Sequence, residues 1–394
     1  MNKVQILGPD GRPYQAPKPR MLTGGSRVPY DAADSFSDQL ANWQPALWSP
    51  DNEINIYRDR IVSRARDLVR NDGWANGAVT RLLDNAVGAN FRPIMKPDYR
   101  VLRMMTGNKS FDAVWAEEYG KALASHWRTW AYDPGRYCDV ERKLTVPQML
   151  RLGFRHKLID GDAVSVLEYR LDRLGRGKGR YATTVQIVDP DRLSNPQQNF
   201  DMPNIRGGVE IDADGAPVAY HFREAHIGDW WSGAKTMTWR RIPRETAWGR
   251  PHVVHDFDHE RGAQHRGNGI LTPVIQRLKM LVKYDESELE AAILNAIFAA
   301  YIESPYDPEM VQAALGENFD DTSLGAYQDG RIEFHKDRRL TLQNGARMPI
   351  MYPGEKINTV NAARPYSNFE VFESAVLRNF SSGTGLSPQQ VTQD

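Results

Sequence analysis

Cysteine is nearly missing from this chain, with one residue, Cys138, among 394. A single thiol closes no intramolecular disulfide, so the fold is not one held by covalent staples. Residues 1–20 are polar and proline-rich and carry no apolar segment that would serve as a secretory signal, and the chain reads as one made in a reducing cytoplasm. Net charge is missing too. Fifty Lys and Arg offset fifty Asp and Glu, which removes the overall positive field that sequence-independent DNA binders use to recruit phosphates. Any contact with nucleic acid is therefore expected to be local or steric. The longest apolar run, "AAILNAIFAAYI" at 291–302, contains Asn295 and falls short of a bilayer's width, so no membrane role is expected.

Catalytic signatures are scarce as well. Gly-x-Ser-x-Gly does not occur, and Cys138 stands in "RYCDV" with no motif around it, so a hydrolase reading has no anchor. "GRGKGR" at 175–180 lacks the strand, Gly-x-x-x-x-Gly-Lys-Ser/Thr and helix context of a phosphate loop and reads as a solvated hairpin tip. Aromatics, by contrast, are plentiful. Ten Trp and sixteen Tyr suit large cores and desolvated subunit contacts alike. The length exceeds what one core usually serves, so two or more subdomains are expected.

Periodicity divides the chain. Residues 1–50 show no sustained period and read as an N-terminal arm pinned at Trp43 and Trp48. Ile54, Tyr57, Ile61, Ala65 and Leu68 form one helical stripe over 53–71, which Asn71-Asp72-Gly73 terminates with residues tolerant of left-handed backbone. A second stripe runs from Trp74 through Leu82 and Leu83 to Gly88, and further helices are expected over 111–130 and, behind Thr145 and Pro147, over 146–159. After Asp160-Gly161-Asp162 the texture changes to alternating strands at 163–170, 181–188, 207–211, 217–223 and 252–257, an antiparallel region with hairpins. Thr272 and Pro273 then open a helix with no breaker before Ser304-Pro305, about 45 Å long. Residues 305–365 read as a small module with strands "RIEFH", "LTLQ" and "RMPIMYP" around the turn Asn344-Gly345. Ser367 and Glu370 have capping-box spacing ahead of a last helix over 368–382.

Three clusters invite chemistry. "HVVHDFDHERGAQH" sets His252, His255, His259 and His265 among Asp256 and Asp258, the ligand types of zinc or non-haem iron, and supports an alternative reading as a metal-dependent nuclease or hydrolase. A strand over 252–258 places His252, Asp256 and Asp258 on one face and His255 on the other, against a shared metal, whereas a helical pair at His255 and His259 would favour it. Asp160 with Asp162, and Asp189 with Asp191, offer carboxylate pairs to magnesium, although "DGD" and "DPD" are equally ordinary turns. The arginines between 58 and 70 open a third reading, a DNA-binding regulator using Arg64 and Arg70, but Asp59, Asp67 and Asp72 interleave them and pair at helical spacing.

In order, the stretches "SRARDLVRNDGWANGAVTRLLDNAVG", "LTVPQMLRLGFRHKLIDGDA", "VVHDFDHERGAQHRGNGILTPVIQRLKMLVKYDESELEAA", "MYPGEKI" and "FEVFESAVLRNFSSGTGLSPQQVTQD" resemble the lambda-type portal proteins of tailed phages. The resemblance runs from about residue 30 to the end. It implies an α+β, ring-forming fold: a wing of helices (51–160) and antiparallel sheet (161–260), a stem helix (270–303), a small α/β clip (304–366) and a returning helix (367–394). It also implies that the family continues past Asp394 into tunnel-side and crown elements.

The resemblance further implies a dodecameric ring at one capsid vertex, through which DNA enters during packaging and leaves during ejection. Implied partners are further copies of the chain, the terminase large subunit, head-completion and connector proteins, major capsid and scaffold proteins, and duplex DNA held without sequence specificity. No cofactor, metal or catalytic step is implied. The expected locations are the virion vertex and, during assembly, the host cytoplasm. A sliding channel is served by weak or repulsive lining, so Asp285, Glu286, Glu288, Glu290, Lys279 and Lys283 on the stem helix are candidates for the lumen. Arg331, Glu333, Lys336, Arg338 and Arg339 in the clip are candidates for terminase or connector contact.

Overall fold

The computed structural model describes residues 31–33, 40, 42–88, 91–301, 333, 339–341, 347–349 and 369–392. The chain divides into two units, Met1–Ser49 and Pro50–Asp394. Within the first, the described residues hold a single 3-10 turn at Asp31–Ala33 and no regular element over 43–49. Trp43 and Trp48 are both exposed.

The second unit opens with helices: α1 (Pro50–Ile54), α2 (Arg58–Asn71), α3 (Gly73–Ala86), α4 (Tyr99–Thr106), α5 (Ala113–Ala131) and α6 (Val146–Asp160). Strands follow: β1 (Asp162–Tyr169), β2 (Thr183–Val188), β3 (Ile205–Arg206), β4 (Val209–Ile211), β5 (Pro217–Arg223), then a single turn α7 (Gly233–Thr236), β6 (Trp239–Pro243) and β7 (Val253–Phe257). The long α8 (Ile275–Tyr301), the pair β8 (Arg339–Thr341) and β9 (Arg347–Pro349), α9 (Phe369–Thr384) and α10 (Pro388–Thr392) complete it.

Local sequence accounts for most of these. Val62, Ala65, Leu68 and Val69 bury one face of α2, and Ala75, Ala78, Val79 and Leu83 one face of α3. Asp72 does not end α2 in a left-handed conformation as its neighbours predict. It is extended (φ −115°, ψ 127°), and its carboxylate accepts the Ala75 N–H at 2.7 Å, so it opens α3 as an N-cap. Asp112 caps α5 in the same way, and Gln148 accepts the Thr145 N–H at 2.9 Å in the capping box of α6.

The stripe expected as one helix over 53–71 is two. Asn55 leaves the helical path and donates its amide to Asp201 at 2.6 Å, while Asp51 is tied to His265, so distant partners override a continuous local period. α8 starts at Ile275, not at Thr272, because the Thr272 hydroxyl donates to the Gly269 carbonyl at 2.7 Å and holds a turn instead of capping a helix. Most of the 305–365 module and Ser367 lie outside the described residues. Within the module β8 pairs antiparallel with β9, Leu340 opposite Met348, and Glu333 has helical backbone where a strand is expected.

Two cores result. Leu271, Val274, Leu278 and Leu281 pack with the buried faces of α2 and α3 and with Leu377, Phe380, Leu386 and Val391. The second core lies between two antiparallel sheets, ordered β2-β1-β7 and β3-β4-β5-β6, and joins Val164, Val166 and Val253 of the first to Val209, Tyr220, Phe222 and Ile242 of the second. One glycine contact locks the helices to the sheets. Gly161 ends α6 with φ +89°, and Gly267 and Gly269 lie directly on the backbone of Gly161 and Ile159, where a methyl group would fall on a carbonyl. The Ile270 N–H donates to the Leu158 carbonyl at 2.9 Å across the same seam.

Gly267→Ala is expected to cost at least about 1–3 kcal/mol through forced backbone displacement. Gly262→Ala, with nothing within 4 Å of the new carbon, is expected to stay within about 0.5 kcal/mol of the parent. Thermal unfolding of the two variants side by side measures this.

Candidate functional site

Among the described residues, the most concentrated polar chemistry lies where α2, α6, β1, β7 and the 261–269 loop meet. Asp162, the first residue of β1, is fully buried. Its Oδ2 accepts from Arg58 Nη2 at 2.9 Å and Arg266 Nε at 2.7 Å. Its Oδ1 accepts from the Gly267 N–H at 2.7 Å and His255 Nε2 at 3.2 Å. Burial by itself opposes ionisation of this carboxyl, but the charges of Arg266 and Arg58 and the His255 bond outweigh it and hold the group far below the usual carboxylate range. An ionised carboxylate only accepts, so the proton of His255 sits on Nε2, and burial keeps this imidazole below its ordinary value, toward the neutral form. Arg266 spends its remaining N–H groups on the carbonyls of Leu193 (2.7 Å), Gly207 (2.6 Å) and Pro190 (3.0 Å), which ties the loop to both sheets.

A second cluster surrounds Arg66 of α2. Its Nε and Nη2 form a fork on Asp160 at 2.7 and 2.9 Å, Nη2 also reaches Asp189 at 2.8 Å, and Nη1 reaches Asp191 at 2.5 Å. His156 Nδ1 lies 2.7 Å from Asp160 Oδ2, one helical turn away. Burial again opposes the charge on Asp160, but His156 and Arg66 hold it low. Asp189 is likewise lowered against its burial, by the Asp191 N–H and Arg66, whereas Asp191 is raised, by burial and by the neighbouring Asp189. In a third cluster the buried Asp51 accepts from the His265 N–H at 3.0 Å, His265 Nδ1 at 2.9 Å and Arg206 Nη1 at 3.1 Å. His265 Nε2 faces the Gly215 carbonyl at 3.2 Å. Both ring nitrogens thus meet acceptors, which favours the imidazolium, and the bond to Asp51 raises this histidine's pKa.

The structure therefore splits the pair Asp160/Asp162, whose carboxylates serve different arginines, and gathers Asp160 with the pair Asp189/Asp191 around Arg66. Among the described residues the group with three ligand atoms within 4.8 Å of one another is His156, Asp160 and Asp189, and the Arg66 guanidinium binds both of its carboxylates. A metal there would have to displace a cation already in place. The segment His252 to His265 is dispersed: its first part is strand β7, so His255 and His259 are not one helical turn apart. His255 is bound to Asp162, His265 to Asp51, and His259 stacks on Phe257 with ring centroids 4.1 Å apart. These four histidines form no three-ligand group among the described residues.

The arginines of α2 also differ from expectation. Arg58 and Arg66 pair with acids about a hundred positions away, not with Asp59 or Asp67, and Asp67 accepts instead from Asn71 at 2.7 Å. Arg58 falls on the buried stripe with Val62, Ala65 and Val69, the signal in the sequence that it is a core residue. Nothing local marks Arg266. On α8, Lys279, Lys283, Glu286 and Glu290 are exposed, and Asp285 and Glu288 are half-buried. Asp285 is raised by burial and by Asp72, and Glu373 of α9 by burial and by Asp285, so Asp285 is turned toward the neighbouring helices. Arg331, Lys336 and Arg338 lie outside the described residues, Glu333 is exposed, and Arg339 opens β8.

A mixed helix and antiparallel-sheet fold with its buried acids neutralised internally is now in view, and comparison with known proteins places it. Residues 36–394 match the family described as phage portal protein, lambda family. Portal protein B of Escherichia phage lambda is 30% identical over 401 residues, covering 99% of this chain and 69% of that protein. The portal protein of Escherichia phage N15 is 29% identical, covering 100% of this chain and 70% of that protein. The probable portal protein of Halomonas phage phiHAP-1 is 22% identical, covering 90% and 62%. Among solved structures, a chain of the virion of a native gene transfer agent particle aligns with a TM-score of 0.33 at 14% identity, over 80% of this chain and 75% of that one, too low a score to define a shared fold. The chain belongs to the lambda family of phage portal proteins.

Two outcomes follow from the charge network. Asp162→Ala leaves Arg58 and Arg266 buried without their anion and is expected to cost about 3–5 kcal/mol. Exposed Arg60→Ala is expected to change stability by less than about 0.5 kcal/mol, both read from urea midpoints. With pH, stability is expected to fall at both ends. The unfolded chain protonates His255 near pH ~6.5 where the folded chain resists it, so stability declines as pH drops below that value. Asp162, Asp160, Asp51 and Asp189 add a steeper loss below about pH 3.9, because their folded values are lowered. His265, raised in the fold, contributes fully below about pH 6.5 and is lost as pH rises through its folded value. In His265→Gln that alkaline decline is expected to disappear.

Proposed function

We propose that the chain is the protomer of a portal ring, a dodecamer at the unique capsid vertex that conducts duplex DNA during packaging and ejection and performs no chemical step of its own. The observation that carries the reading is the family match over residues 36–394, joined to 30% identity with portal protein B of phage lambda. The fold supports it physically. α8 runs about 40 Å at 1.5 Å per residue, yet apolar positions along it and α9 stay uncovered within the protomer. Leu289 is 64% and Ile293 50% exposed, and on α9 Val371 and Phe372 are exposed, Phe372 against Tyr284 of α8. A closed ring of identical subunits meets through two different faces of each protomer, and these positions suit such a contact.

In this reading α8 is the stem helix and residues 304–366 form the clip, with 51–260 as the wing. Lys279, Lys283, Glu286 and Glu290 are exposed on the stem and with the half-buried Glu288 are the proposed channel lining, whereas Asp285 faces Asp72 and Glu373 between the helices and leaves that set. Their mixture of signs avoids a regular row of phosphate contacts that would hold DNA in register. Arg331, Glu333, Lys336, Arg338 and Arg339 are the proposed contacts for the terminase large subunit and connector proteins. Major capsid and scaffold proteins, the virion vertex and host cytoplasm during assembly complete the assignment.

Negative-stain electron microscopy of the purified protein is expected to show rings with twelvefold symmetry. Leu289→Asp combined with Ile293→Asp is expected to yield monomers by sedimentation with an unchanged far-UV circular dichroism spectrum. Rings that persist in the double variant would remove these positions from the interface, and a parent protein that never forms rings would sink the reading.

A further inference from the structure

Beside the Asp162 network lies a cavity of about 460 Å³ between the start of α2, the 193–201 loop and the end of β5. Arg223, the last residue of β5, lines it and is 3% exposed. Its Nε and Nη1 are buried and have no hydrogen-bond partner among the described residues, and its guanidinium carbon lies 4.9 Å from the Trp239 ring centroid. Arg58 also lines the cavity. Its Nη2 serves Asp160 and Asp162, but its buried Nε has no partner among the described residues. Arg266, the other buried arginine among the described residues, is by contrast matched to a carboxylate and to carbonyls. A guanidinium taken out of water without an acceptor costs several kcal/mol, and burial lowers Arg223's pKa accordingly.

The same wall holds an orphaned acceptor. Asn55 donates its amide to Asp201, but its Oδ1 is buried without a partner among the described residues. At the rim stand Phe200, 87% exposed, Ile227, 63% exposed, and the exposed carboxylate of Asp59.

We propose that this cavity is a binding site for an acidic peptide of a protein partner: a side-chain carboxylate accepts from Arg223 and Arg58 Nε, and a peptide N–H donates to Asn55 Oδ1. A phosphodiester would satisfy the arginines but brings no donor for Asn55 Oδ1. The apolar rim suits the flanks of a peptide and offers nothing to a sugar-phosphate chain. The site is independent of the ring assignment and stands or falls separately from it.

Calorimetric titration of the whole protein with N-acetyl-glutamate N-methylamide tests the proposal, with its glutamine counterpart, inorganic phosphate and duplex DNA as comparisons. Saturable millimolar binding of the glutamate compound is expected, weakened about tenfold or more for the glutamine compound and about tenfold or more in Arg223→Met, one lost charge-assisted bond. Arg223→Met is expected to melt close to the parent, since among the described residues Nε and Nη1 donate no hydrogen bond and only the stacking on Trp239 is lost. A destabilisation as large as that of Asp162→Ala would show that the guanidinium is structurally paired and overturn the site. Equal binding of glutamate and glutamine compounds to the unaltered protein, or no saturation, would overturn it without reference to any variant. Phosphate or duplex DNA competing as strongly as the glutamate compound would show a general anion site and overturn the peptide assignment.

Discussion

A carboxylate with no access to water, Asp162, must have its lone pairs filled from within, and that requirement organises the second unit. Four donors answer it, from the first residue of α2, from β7, and from two consecutive residues of the 261–269 loop. Each donor fixes the element that carries it. Arg266 extends the constraint, because its other N–H groups hold carbonyls at Pro190, Leu193 and Gly207 in the segments leading to and between the sheet strands. Buried ion pairs add little net stability over well-packed apolar groups. What this one does is permit a single register between helices and sheets, reinforced by the glycine seam at Gly161, Gly267 and Gly269.

The same logic explains why clusters with the composition of an active site are not arranged as one. Asp160, Asp189 and Asp191 converge as catalytic carboxylates would, but a guanidinium stands where a metal ion would be needed. His255 and His265 occupy separate ion-pair clusters and take opposite protonation tendencies, His255 toward neutral through burial and His265 toward charged through Asp51. Internal neutralisation of this kind consumes charge in holding elements together. Arg223 departs from the pattern, a buried cation whose acceptor is not among its described neighbours.

Much of the fold was legible in local sequence. The stripes of α2 and α3, the start of α6 behind Thr145 and Pro147, the alternating strands of β1, β2 and β5 and their antiparallel pairing all reappear. Besides the very short β3 and α7, two elements escaped because their local signal is weak. α4 is only eight residues long, and its apolar face of Val101, Leu102, Met104 and Met105 is too short a run to establish a period, while β6 reads "WRRIP", with arginines at its centre, on an edge strand. The break at 55–57 was invisible for a different reason: Asp201 and His265, 146 and 214 positions away, impose it.

Period, capping residues, charge balance and the ordered stretches shared with portal proteins are properties of neighbouring positions, and the sequence by itself determined them, along with the family. The pairing of charges was decided only by tertiary structure. An arginine one helical turn from an aspartate has a local partner in water at little gain. Arg58 and Arg66 instead meet Asp162 and Asp160 across 104 and 94 positions, because chain topology brings these acids into the interior, where an unpaired charge costs far more than a surface pair returns.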